Sequence, residues 1–129
     1  MHSRTPKLFI VEDNFMYSYT LESIFKEREN FKVTSLSSGR ECIELLDNNP
    51  DVIILDYNLE SDMTGFDIFK TIHAKKPLIP VIIISSQSDL QIVSDLLKNG
   101  AFDYIEKKSI EVTIEKLHQS VLKALKSKL

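Results

Sequence analysis

Val52-Ile53-Ile54-Leu55 carries no polar side chain, three of its four residues are β-branched, and it ends on an acid, Asp56. Such a run is short for a buried helix and lacks the alternation of a strand with one wet face, so it reads as a strand covered on both sides. The same form recurs at Leu8-Phe9-Ile10-Val11, followed by Glu12-Asp13, and at Val81-Ile82-Ile83-Ile84, followed by Ser85-Ser86. Two weaker strand candidates lie at residues 31–36 and 104–105. Between these runs the apolar spacing turns helical, over residues 15–29, 40–48, 65–75 and 89–99, and last around Ile114, Leu117, Val121 and Leu125. Asn99-Gly100 marks the end of the fourth helix, since glycine accepts the left-handed conformation just past a helix. Five strands alternating with five helices predict an α/β fold with a parallel sheet and helices on both faces.

The chain has 129 residues, 43% of them hydrophobic and 27% charged, with only 3 glycines and 4 prolines. That is enough chain for one buried core, and residues 1–129 are expected to form a single domain with no output domain in this chain. The formal net charge of −3 gives no general electrostatic reason to bind nucleic acid. No apolar run is long enough to span a bilayer, so no membrane insertion and a cytoplasmic location are expected. The single cysteine, Cys42, lies among Ile43, Leu45 and Leu46 and reads as a small buried hydrophobe. His2, His73 and His118 have no ligand spacing and read as surface residues. Phe15 and Met16, beside the acidic pair, are expected to be buried.

In an open parallel sheet, functional groups collect at the carboxyl ends of the strands. Here those ends carry Glu12-Asp13, Asp56, Ser85 and Lys107. Singly, Glu12 or Asp13 reads as a helix cap or a solvated loop group. Together, three carboxylates at one rim need a compensating cation, and Mg²⁺ suits oxygen ligands supplied by carboxylates, water and phosphate. Asp56 would then accept a phosphoryl group as aspartyl-phosphate enzymes do, with Lys107 neutralising one phosphoryl oxygen and the Ser85 hydroxyl donating to another.

Four segments carry a resemblance: Val11-Glu12-Asp13-Asn14, Ile53-Ile54-Leu55-Asp56-Tyr57-Asn58-Leu59 with Gly65 downstream, Ile83-Ile84-Ser85-Ser86, and Gly100-Ala101-Phe102-Asp103-Tyr104-Ile105-Glu106-Lys107. In this order and over essentially the whole chain, they resemble the receiver domain of two-component response regulators. The resemblance implies a flavodoxin-like (βα)5 doubly wound sheet of strand order 2-1-3-4-5. It implies Mg²⁺ held by Asp13, Asp56 and the main-chain carbonyl of Asn58, with Glu12 acting directly or through water. Asp56 is the implied phosphoacceptor, Ser85 the switch hydroxyl and Tyr104 the switch aromatic, expected to exchange a solvent-facing rotamer for a buried one on phosphorylation. The implied phosphodonor is a sensor histidine kinase or a histidine phosphotransfer protein. Output would pass to a downstream protein or output domain through the fourth helix, fifth strand and fifth helix, with phosphorylation-dependent dimerisation as one form. The chain would be a regulatory domain and not an enzyme, its chemistry limited to slow self-phosphorylation and self-dephosphorylation.

Three features depart from that pattern. Lys108 stands where the family usually has proline, so the Lys107–Lys108 peptide is expected to be trans. The segment Glu60-Ser61-Asp62-Met63-Thr64 lacks a common proline and is slightly long, and Ser86 adds a second hydroxyl beside Ser85. Two alternatives are a small hydrolase with an aspartyl nucleophile and a pseudo-receiver that only binds partners. The first commonly needs a carboxylate two residues after the nucleophile, where this chain has Asn58; the intact Glu12, Asp13, Asp56, Ser85 and Lys107 set argues against the second.

Overall fold

The computed structural model describes residues 5–59, 63–87 and 89–128. The elements run β1 (Lys7–Val11), α1 (Phe15–Glu29), β2 (Lys32–Leu36), α2 (Gly39–Glu44), β3 (Val52–Asp56), α3 (Gly65–Lys75), β4 (Val81–Ser85), α4 (Leu90–Lys98), β5 (Asp103–Glu106) and α5 (Ile110–Lys126). All strand pairs are parallel and the order is β2-β1-β3-β4-β5. This is the flavodoxin-like sheet that the resemblance implies.

Strand alternation sorts the apolar runs onto two faces. Leu8, Ile10, Val52 and Ile54 join a core with Leu21 and Phe25 of α1 and Leu117 and Val121 of α5. Phe9, Val11, Ile53 and Leu55 join the opposite core, built with Cys42, Phe69 and Leu96 from α2, α3 and α4. Every residue of β3 and β4 is buried, which is why their sequences lack alternation. Burial also pushes the Cys42 thiol up to about 12, so it stays protonated and inert as a small core residue.

The second helix is shorter than its sequence pattern. It stops at Glu44, and residues Leu46–Asn48 form a separate 3₁₀ turn ending at Asn49 with φ 55°. Pro50 disfavours helical backbone at the residue before it, and asparagine tolerates the left-handed conformation. Gly100, at φ 108°, follows Asn99 and ends α4 as expected. Gly65 has another reason to be glycine: a Cβ there would strike the Tyr57 carbonyl, so its absence lets α3 begin directly beneath the loop leaving β3.

Phe15 and Met16 are 76% and 68% exposed, against the expectation of burial. The helix α1 turns Ser18, Leu21 and Phe25 inward, which leaves its first residues outside, where the Phe15 ring stacks on Tyr19 with centroids 6.2 Å apart. Of the histidines, His2 lies outside the described residues, His73 is half-buried against the Phe69 ring, and His118 Nε2 lies 2.9 Å from Glu29 Oε2. The latter two are packed rather than free surface residues.

Candidate functional site

Parallel register carries the ends of the central strands to one rim. Val11 pairs with Leu55, so Glu12 and Asp56 are the next residues on adjacent strands and share the alternation class that faces α1 and α5. The ladder continues into the site, for Glu12 N–H donates to the Leu36 carbonyl at 3.0 Å and Lys107 N–H to the Ser85 carbonyl at 2.7 Å. These residues are therefore held by the sheet itself.

Glu12 and Asp56 are each only 3% exposed, whereas Asp13 is exposed at the mouth. One carboxylate oxygen from each of the three lies within 4.8 Å of the others. Lys107 Nζ donates to Glu12 Oε1 at 2.7 Å and to Asp56 Oδ2 at 3.2 Å, and lies 4.5 Å from the centre of the Tyr17 ring. The remaining oxygens accept main-chain donors, Glu12 Oε2 from Asn14 N–H and Asp56 Oδ1 from Asn58 N–H, both at 3.0 Å.

Burial pushes the Glu12 carboxyl up to about 7; the nearby Asp56 adds to this, and the Lys107 and Asn14 hydrogen bonds hold it back in part. For Lys107, burial alone would lower the ammonium, but the hydrogen bond to Glu12 and the charge of Asp56 outweigh it and hold it above its ordinary value. Lys107 is shared between two buried carboxylates with Asp13 beside them, and so many acids gathered at one rim favour added positive charge. A hard divalent cation with oxygen preference fits that donor set.

Ser85 falls in the other alternation class, that of Val81 and Ile83, and so does not point at Asp56. Its Oγ donates to Asn58 Oδ1 at 2.8 Å and accepts from Gln87 N–H at 3.1 Å. The Tyr104 hydroxyl donates to the Gln87 carbonyl at 2.7 Å at an exposed position, while its ring is half-buried against the core on that face. Gln87 thus links the serine to the tyrosine, a role that no local pattern announces. Lys107–Lys108 is trans, as expected without proline, and Lys108 N–H donates to Thr113 Oγ1 at 2.9 Å, which ties the loop to the start of α5.

The structure brings Glu12, Asp13, Asp56 and Lys107 together and places Asn58, Ser85 and Tyr104 on a hydrogen-bonded path leading away from them. Residues 60–62 of the divergent loop lie outside the described residues. Tyr17 over Lys107 and the side chain of Asn58 were not anticipated, because each depends on the placement of a helix or loop and not on a local pattern.

Known proteins resemble this chain in sequence and in fold. The sequence profile described as the response regulator receiver domain matches residues 8–122. A two-component response regulator of rice, ORR11 of Oryza sativa subsp. indica, is 31% identical over 121 residues, covering 91% of this chain and 81% of its own length. A response regulator receiver domain protein from Clostridium thermocellum superposes with a TM-score of 0.85 at 25% identity, over 95% of this chain and 96% of that one. The response regulator domain of Thermotoga maritima CheB gives a TM-score of 0.84 at 25% identity, over 95% and 98% of the two chains. A profile match over most of the chain and a curated relative 31% identical over nearly all of it agree with this fold and its acidic rim, and the chain belongs to the response regulator receiver domains, the phosphoacceptor switches of two-component signalling.

Proposed function

We propose that the chain works as one receiver domain whose phosphoacceptor is Asp56 and whose cofactor is Mg²⁺. The observation that carries this is the Lys107 ammonium shared by buried Glu12 and Asp56, with Asp13 completing the acidic cluster. Asp13, Asp56 and the Asn58 main-chain carbonyl would hold the ion, with Glu12 bound to it directly or through water. Bound there, the ion would neutralise phosphoryl oxygens and favour in-line transfer.

The residues of the chain do the rest. A carboxylate oxygen of Asp56 gives an electron pair to phosphorus and forms the O–P bond while the P–N bond to the donor imidazole breaks, and the imidazole nitrogen leaves with the P–N bonding pair. Lys107 follows the negative charge from Asp56 onto a phosphoryl oxygen. The Ser85 hydrogen bonds a second oxygen, and its movement pulls on Gln87 and so on Tyr104. Water later attacks phosphorus, releases inorganic phosphate and restores the carboxylate. Turnover is slow and belongs to the switch; the chain is a regulator and not an enzyme.

Among the described residues no helix is long and apolar enough to cross a membrane. The proposed location is the cytoplasm, which follows from the kinase-fed receiver role and not from that absence. Its phosphodonor is a sensor histidine kinase or a histidine phosphotransfer protein. Its output surface is the face made by α4, β5 and α5, which Tyr104 borders, and a downstream protein, an output domain or a second phosphorylated copy engages it there.

Two measurements test this reading. Asp13→Ala is expected to weaken Mg²⁺ binding at least tenfold, followed by metal-dependent NMR shifts because the chain has no tryptophan. Unchanged affinity would place the ion elsewhere. Ser85→Ala is expected to reduce the beryllofluoride-induced change at Val93, Tyr104 and Leu117, shifting the equilibrium between the two states roughly tenfold, the effect of one hydrogen bond to a charged group. Equal shifts in both proteins would show that the hydroxyl is not the messenger.

A further inference from the structure

The switch hydroxyl is already committed in the resting structure. A serine hydroxyl has one hydrogen and two lone pairs. Gln87 N–H takes a lone pair of Ser85 Oγ at 3.1 Å, and the hydrogen goes to Asn58 Oδ1 at 2.8 Å. The Ser86 N–H, which can only donate, also points at Asn58 Oδ1 at 3.3 Å, which fixes the carbonyl side of the carboxamide toward Ser85. Ser85 itself is fully buried, so no bulk water competes for its hydrogen.

A hydrogen shared between two acceptors makes two weakened bonds. A full hydrogen bond to Asn58 and one to a phosphoryl oxygen on Asp56 draw on the same hydrogen, so the Asn58 side chain competes with the phosphoryl group for the switch. Asn58 is also tied to the acceptor, since its own N–H donates to Asp56 Oδ1 at 3.0 Å. Its side chain is at the surface, and its Oδ1 also faces the Ser86 N–H at 3.3 Å and the Ser86 hydroxyl at 3.5 Å, so water or these donors can take the place of Ser85. Opening therefore does not strand a carbonyl without a donor. This gives the second serine, where the family prefers alanine, a physical part in the switch.

We infer that the Asn58 carboxamide is a positioning residue that latches the Ser85 hydroxyl in the resting state and thereby sets how often the unphosphorylated protein visits the switched one. The inference rests on the acceptor reading of Asp56 but concerns a side chain that this reading leaves without a role.

The test uses the whole chain with Mg²⁺, with and without beryllofluoride, and follows the Tyr104 ring resonances by NMR in wild type, Asn58→Ala, Ser85→Ala and the double variant. Asn58→Ala without beryllofluoride is expected to move these resonances toward their beryllofluoride positions, a rise of about fivefold in the switched-to-resting ratio, the weight of one ordinary hydrogen bond. In the Ser85→Ala background the same substitution should move nothing, because the hydroxyl it acts through is gone. Equal displacement in both backgrounds would mean a general structural effect and overturn the latch, as would no displacement in either. A wild-type protein blind to beryllofluoride would instead remove the acceptor reading, and the latch with it.

Discussion

Acetyl phosphate with Mg²⁺ is expected to add one phosphoryl group to the wild-type chain and none to Asp56→Asn. The substitution is nearly isosteric. Asparagine can keep an oxygen for the Asn58 N–H at the Oδ1 position, and it puts an amide nitrogen where Oδ2 now meets Lys107. What it removes is the anionic oxygen whose electron pair attacks phosphorus, since an amide oxygen shares its lone pairs with nitrogen and is a poor nucleophile. Glu12 is the poorer nucleophile, because burial pushes its carboxyl up to about 7 and Lys107 holds its Oε1 at 2.7 Å, against 3.2 Å for Asp56 Oδ2. Asp13 is the competing candidate, being the exposed member of the cluster. Intact-mass spectrometry distinguishes them: equal labelling of wild type and Asp56→Asn would move the acceptor to another carboxylate. Release of the added mass by hydroxylamine would confirm an acyl phosphate in the wild type.

The sequence was most legible where one physical demand dominated. Strands β1, β3 and β4 are covered on both faces, so their residues had to be apolar throughout, and their carboxyl ends delivered Glu12, Asp13, Asp56 and Ser85 to the correct rim. At the sheet edge the demand is weaker. The β5 strand extends to Asp103 and Glu106 beyond its apolar pair, and Asp103 is accommodated because its Oδ2 accepts the Ser120 hydroxyl at 2.7 Å. The pattern of α2 continued to Asn48 because apolar spacing does not register what Pro50 does to the backbone before it. Phe15 and Met16 depart from expectation for a related reason: hydrophobicity argues for burial, but the phase of α1 is set by Leu21 and Phe25, and that phase leaves its start uncovered. Tertiary geometry alone decided the rest, since nothing in the residue order announces that the Asn58 side chain reaches Ser85, 27 residues away, or that Tyr17 lies over Lys107.

Lys107→Met is expected to destabilise the protein by about 3 kcal/mol in the absence of divalent cations, the lower end of what breaking a buried ion pair costs. Methionine retains an unbranched stem for the Tyr17 ring while deleting the charge, so the change isolates electrostatics from packing. Side-chain exposure is only 1% for Glu12 and 4% for Asp56, so neither carboxylate can turn to water when its ammonium is lost. The lower end applies because Lys107 keeps some solvent contact, at 18% exposure, and because Glu12, pushed up to about 7 by burial, can take up a proton and relieve part of the repulsion. Mg²⁺ supplies the missing positive charge at the same carboxylates, so it should restore much of the loss. Urea unfolding followed by circular dichroism, with chelator and with Mg²⁺, measures both effects. The decisive comparison is the stabilisation by Mg²⁺, which should be larger in Lys107→Met than in wild type because in wild type the ion must share Glu12 and Asp56 with an ammonium already in place. Equal stabilisation of the two proteins would separate the metal from this cluster, and an unchanged midpoint in chelator would mean that the lysine is not what keeps the buried acids tolerable.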